Sequence, residues 1–124
     1  SLARFTGQGR VLINLPDTPD PNDPFHLAAL DTHDALVTAG LAVEVIPEPA
    51  IRRIDSADFV ASYANYYVCN GAVINAQYGD DKADGKAQDQ LKALYPNRDI
   101  VMLNVDEVAK AGGGVHCATQ QHPA

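Results

Sequence analysis

"SYANYYVCNGAVINAQYGDDKAD", residues 62–84, decides the fold of this 124-residue chain. Over 65–76 two β-prone runs flank Asn70-Gly71, the dipeptide that best tolerates the positive φ angles of a tight turn, so the segment is predicted to be a β-hairpin. Gly79 closes the second run. Asp80 and Asp81 then open a helix that continues to about Tyr95 and buries Ala87, Leu91 and Leu94, with both acids at its positive end. "DIVMLN" at 99–104 returns as a strand, and "VDEVAKA" is a short helix that runs into Gly112, Gly113 and Gly114.

Working back toward the N-terminus, the same order recurs. "RVLINL" at 10–15 is apolar and β-rich and stops at Pro16, after which "DTPDPNDP" supplies turn residues. Asp23-Pro24 is a helix opening, with Asp23 as N-cap and Pro24 in the first helical position, and the helix is expected to end at Gly40. Its expected buried stripe is Leu27, Leu30, Val37 and Leu41, with Asp34 falling where an apolar residue belongs. "LAVEVI" at 41–46 reads as a buried strand ended by Pro47, and the stretch that follows, to about residue 62, has no clean period. Strand-helix-strand thus occurs twice, around 10–46 and 72–103. The chain belongs to the α/β class, as two similar modules treated as one unit over 1–124.

Composition narrows the partners. Nine basic against sixteen acidic side chains give a formal charge of −7, which repels nucleic acid and anionic lipid and draws small cations. No apolar run approaches the roughly 18–20 residues of a membrane span. Two cysteines, Cys69 and Cys117, without a secretory signal or disulfide-dense spacing, point to reduced thiols in the cytoplasm.

The chemistry concentrates in "AGGGVHCATQQHPA" at 111–124. A nucleophilic cysteine needs a lowered pKa and an open approach, and glycines let the backbone come close to a ligand with no Cβ in the way. Cys117 behind Gly112–Gly114 fits that need; a glycine-rich helix end followed by a buried structural cysteine is the reading that spacing alone favours. His116, adjacent to Cys117, would point to the opposite face of an extended strand and so reads as structural. His116, Cys117 and His122 lack the paired spacing of a zinc site, and no Lys-Ser or Lys-Thr follows the glycines as in a phosphate loop, so neither a metal nor a nucleotide cofactor is expected. Asn65, in an aromatic strand, either faces water or is held in a polar network. Cys69 reads as core.

Taken together, "SYANYYVCNGAVINAQYGDDKAD" and "AGGGVHCATQQHP" resemble the agmatine deiminase and bacterial-type (Porphyromonas-type) peptidylarginine deiminase family, within the guanidino-group-modifying superfamily. That resemblance implies a five-bladed α/β propeller, the pentein fold, of which this chain would be about two modules, the C-terminal part of a single catalytic domain. It implies no cofactor, a small cationic guanidinium substrate, and Cys117 as nucleophile, with Asn65, Gly113 and Gly114 at the substrate-binding surface. It further implies hydrolysis of agmatine to N-carbamoylputrescine and ammonia, a step toward putrescine, through a covalent S-amidino cysteine. The family's Gly-His-x-Asp motif would lie just before the segment matching 1–5, so the catalytic histidine and the carboxylates are expected in missing N-terminal modules of the same protein and the chain alone is expected to be inactive. Family members commonly carry Asn where Gly114 stands. Peptide-borne arginine is the alternative substrate, a non-catalytic binding or scaffold module of the same fold is the alternative function, and a homo-oligomer is compatible with the sequence.

Overall fold

The computed structural model describes residues 2–124. Strands β1 (Ala3–Gly7) and β2 (Arg10–Asn14) form an antiparallel hairpin, helix α1 (Pro24–Thr38) crosses over, and β3 (Ala42–Ile46) returns parallel to β2. The pattern repeats as β4 (Tyr67–Cys69), β5 (Ala72–Gln77), α2 (Asp81–Leu94) and β6 (Asp99–Asn104), followed by the short α3 (Asp106–Lys110). Each sheet has three strands in sequence order. The two modules even share one bond: Ala42 N–H donates to Gly9 C=O and Asp99 N–H to Gly71 C=O, each at 2.9 Å, tying the third strand to the hairpin turn.

Local sequence accounts for most of these elements. Asp23 caps α1 by accepting from Phe25 N–H, with Pro24 where its missing N–H costs nothing. Asp80 caps α2 by accepting from Ala83 N–H, and Asp81 and Asp84 lie in its first turn. At the 70–71 turn only Gly71 adopts positive φ, +77°; Asn70 does not, so one left-handed residue closes the hairpin rather than two.

Three expectations are corrected. The segment 3–7, where no strand was anticipated, pairs with β2. The row Leu27, Leu30 and Val37 of α1 is 45%, 37% and 51% exposed; the helix instead turns Ala29 inward, so Asp34 sits on the outward row with its apolar neighbours in water. Likewise β3 buries only Ile46 fully, because nothing described covers its other face. Leu94 of α2 is half-buried.

The core lies between the modules. Leu12 and Ile46 of the first sheet are fully buried against Tyr63, Tyr66, Val73 and Leu91 of the second module. Gln90 of α2 crosses the junction, its Nε2 donating to Glu44 Oε1 and Val45 C=O, both at 2.8 Å. From β1 the Arg4 guanidinium stacks on the Tyr66 ring, 3.8 Å from its centre, and donates to Tyr66 C=O.

Between β3 and β4 the chain runs about twenty residues without regular structure, and acidic side chains fix its course by accepting hydrogen bonds. Asp80 Oδ2 accepts from Ala50 N–H at 2.9 Å and Ile51 N–H at 3.2 Å; the cap bond from Ala83 N–H chiefly, and these two after it, lower its pKa against the opposing effect of desolvation. Arg53 donates from Nε to Asp106 at 2.6 Å and from Nη2 to the same carboxylate at 3.1 Å, with a further bond to Gln77 C=O. Gly79, at φ +96°, leaves room for that arginine: a Cβ there would lie 2.7 Å from Arg53 Cγ. Asp84 accepts from Tyr63 Oη at 2.7 Å, Tyr78 N–H at 2.9 Å and Gly79 N–H at 3.0 Å. Burial, and then the Asp84 bond, raise the Tyr63 pKa, while burial pushes Tyr78 up to about 12, so both phenols stay neutral donors.

Asp84→Ala strands these three donors and is expected to lower the unfolding free energy by about 3 kcal/mol, against about 1 kcal/mol for Tyr63→Phe, which removes one bond. Urea denaturation of the 124-residue chain reads both; equal midpoints for Asp84→Ala and the parent chain would remove Asp84 from this role.

Candidate active site

Asn65 enters the site from a turn closed by its own N–H to Ser62 C=O at 3.1 Å. The flanking tyrosines, 63 and 66, are buried on the core side: Tyr63 C=O accepts from Asn75 Nδ2 at 2.9 Å, and Tyr66 Oη meets Tyr95 Oη at 2.9 Å. With both neighbours anchored, the Asn65 side chain is directed toward the C-terminal segment. It is 2% exposed. Of the two sequence alternatives, the polar network is the one realised.

The C-terminal segment reaches Asn65 from α3. Gly112, at φ +82°, and Gly113 donate backbone N–H groups to Ala109 and Val108 C=O at 3.0 and 3.2 Å, which closes the helix end. Val115 is buried and pins the segment to the core. Residues 115–118 form a turn rather than a strand, closed by Ala118 N–H to Gly114 C=O and Thr119 N–H to His116 C=O, both at 3.2 Å. The opposite-face argument for His116 therefore does not apply. His116 is exposed, and its backbone, not its ring, ties it to the fold.

Asn65 joins the two segments with both ends of its amide. Oδ1 accepts from His116 N–H at 2.7 Å, and Nδ2 donates to Cys117 Sγ at 3.3 Å. Cys117 is exposed, which removes the buried-structural reading of this thiol, and the Asn65 bond is the leading cause that lowers its pKa, partly opposed by desolvation and aided by the Gly114 backbone. Cys69 is half-buried in β4 with Sγ 3.5 Å from Ala72 C=O, and no disulfide links the two.

The predicted residues are thus brought together in part. Asn65, Gly114 and Cys117 are in mutual contact, whereas Gly113 packs on α3, where a Cβ would lie 3.4 Å from Val108 Cγ1. Sequence reasoning missed the supports behind Asn65: Arg4, Arg53, Tyr63, Asp84 and Asp106. "GDDKAD" carried a signal, three carboxylates around a helix start, but the loop that two of them, Asp80 and Asp84, hold is distant in sequence. His26 is engaged with Asp20, Asp23 and Glu48, and His33 with Asp34, so neither serves the thiol. Cys117 lies on an open surface; a cavity of about 320 Å³ is elsewhere, lined by Ala50, Arg52, Ile54, Asp55 and Ser56. The arrangement offers a nucleophile with a hydrogen-bond donor on its sulfur and bare backbone beside it, open to a flat substrate from solvent.

Known proteins share this architecture. Residues 1–123 match the family model described as Porphyromonas-type peptidyl-arginine deiminase. The agmatine deiminase of Pseudomonas syringae pv. tomato is 34% identical over 138 aligned positions, which take in 94% of this chain and 37% of that protein. Among solved structures, the agmatine deiminase of C. jejuni superposes with TM-score 0.81 at 25% identity, over 96% of this chain and 37% of the other. That of Enterococcus faecalis gives TM-score 0.80 at 32% identity, over 98% and 39%. The chain therefore spans less than two fifths of the length of each of these three relatives. Two repeated ββαβ modules and a family match along nearly the whole chain make this a member of the Porphyromonas-type peptidyl-arginine deiminase family, carrying part of its α/β propeller.

Proposed function

We propose that this chain is the C-terminal, nucleophile-bearing part of a single catalytic domain that hydrolyses a guanidinium group, with agmatine as the substrate. The observation that carries the reading is the exposed Cys117 thiol, its pKa lowered chiefly by the Asn65 amide 3.3 Å away. The names of the relatives, agmatine deiminases in bacteria, favour agmatine over peptide-borne arginine.

A guanidinium is a delocalised cation and a poor electrophile, so its reaction needs charge neutralisation and orientation more than a strong nucleophile. Cys117 thiolate adds to the central carbon to form a C–S bond and a tetrahedral adduct. One nitrogen takes a proton and leaves as ammonia, which gives an S-amidino cysteine. Water then adds to the same carbon, the C–S bond breaks, and the thiolate returns with release of N-carbamoylputrescine. Asn65 steadies the sulfur while it carries charge. The proton-transferring histidine and the carboxylates that grip the guanidinium belong to further modules of the same protein, a placement supported by the rows Leu27, Leu30, Val37 and Val101, Leu103 left in water at the outer faces. The charge of −7 favours a cationic substrate. Among the described residues no helix is long and apolar enough to cross a membrane, and both cysteines are free, as a cytoplasmic setting keeps them.

Two measurements test this reading. At neutral pH, 2-chloroacetamidine is expected to alkylate Cys117 at least about tenfold faster than Cys69, since Cys117 is exposed and its thiolate is favoured by the Asn65 bond; equal labelling of the two would favour a scaffold module. Purified residues 1–124 are expected to release no ammonia from agmatine above background, and turnover comparable with a full-length deiminase would overturn the assignment of the histidine and carboxylates to other modules.

A further inference from the structure

Gly114 is where the fold leaves least room. Its φ is outside the left-handed region that Gly112 occupies at +82°, so backbone strain does not demand glycine there. Space does. A Cβ at position 114 would lie 2.4 Å from Cγ, 2.5 Å from Nδ2 and 2.7 Å from Oδ1 of Asn65. These atoms cannot step aside freely, because the Asn65 amide is enclosed and bonded at both ends, to His116 N–H at 2.7 Å and to Cys117 Sγ at 3.3 Å. With the turn placed as it is in this chain, the carboxamide fills the volume that a Cβ at 114 would need, so family members with Asn at this position must place the turn or the amide differently.

We propose that Gly114 is a positioning residue for the nucleophile: the absence of a side chain there is what admits the Asn65 amide to the turn and places its N–H on the Cys117 sulfur. A methyl group at 114 drives the amide back, breaking both of its bonds, and the thiolate loses its donor. The inference rests on Cys117 being the nucleophile, but concerns how its sulfur is held rather than what it attacks. Asn65, from the segment before β4, and the 114–117 turn itself surround the sulfur; among the described residues His116, exposed on the same turn, is the adjacent ionisable side chain.

The test is the rate of iodoacetamide alkylation of Cys117 as a function of pH in the 124-residue chain, read by peptide mass spectrometry with Cys69 as internal reference. Gly114→Ala is expected to move the Cys117 profile to higher pH and to slow alkylation at neutral pH about threefold, the loss of thiolate being partly offset by the greater nucleophilicity of a more basic sulfur. Asn65→Ala should do the same, and the double variant should lose nothing more, because both changes take the same donor from the sulfur. The Cys69 profile should not move. A Gly114→Ala profile matching the parent chain, or losses that multiply in the double variant, would overturn the proposal. If Gly114→Ala alone fails to fold, the double variant, in which the colliding amide is gone, should fold and behave as Asn65→Ala; an unfolded double variant would also overturn it. Failure of the amidine reagent to prefer Cys117 would count against the guanidinium reading and leave these profiles unaltered.

Discussion

The carboxamide of Asn65 joins parts of the chain that are 51 and 52 residues apart, meeting a backbone N–H with its oxygen and a sulfur with its nitrogen. A buried amide left unpaired costs about 1–3 kcal/mol, so once Asn65 is enclosed its bonds to the C-terminal turn are obligatory rather than optional. The turn has the complementary need. Its His116 N–H lies outside any ladder, and Asn65 supplies the acceptor. Positions 65, 114, 116 and 117 therefore form one unit, held through the Asn65 amide, the His116 backbone and the Cys117 sulfur.

That unit is only as well placed as the irregular stretch leading to Asn65, and here the acidic composition is put to structural use. Asp80, Asp84 and Asp106 each accept more than one hydrogen bond, from loop N–H groups, a phenol and a guanidinium. Bonds to an ionised acceptor are roughly twice as strong as neutral ones, which suits a segment with no ladder of its own. The helix start at 80–84 thus has a second role: it caps α2 and grips the loop that carries the site.

Repetition sets the remaining geometry. The two modules share strand order, crossover and the bond from third strand to hairpin turn, and the sheet of one packs on the helix and loop of the next. In this arrangement the core forms at the junction between modules. Outer faces of the pair keep apolar rows in water, on α1 and on β6, while the side chains at the junction are fully buried.

What the sequence determined by itself was local. Asp23-Pro24, Asp80 and the Gly71 turn fix element boundaries because their chemistry acts within a few residues, and the α/β order follows from strand and helix periods repeated twice. The motif around Cys117 was likewise legible, as was the choice facing Asn65 between water and a network. Tertiary structure decided the rest. Which row of α1 faces inward, that 3–7 is a strand, that the thiol is exposed, and that Asn65 reaches it across about fifty residues all depend on what packs opposite. Periodicity records that a face is apolar but not what covers it, and a glycine's letter does not say whether its backbone angle or a neighbour's side chain requires it. At Gly114 the neighbour is Asn65, and only the folded chain brings the two within contact.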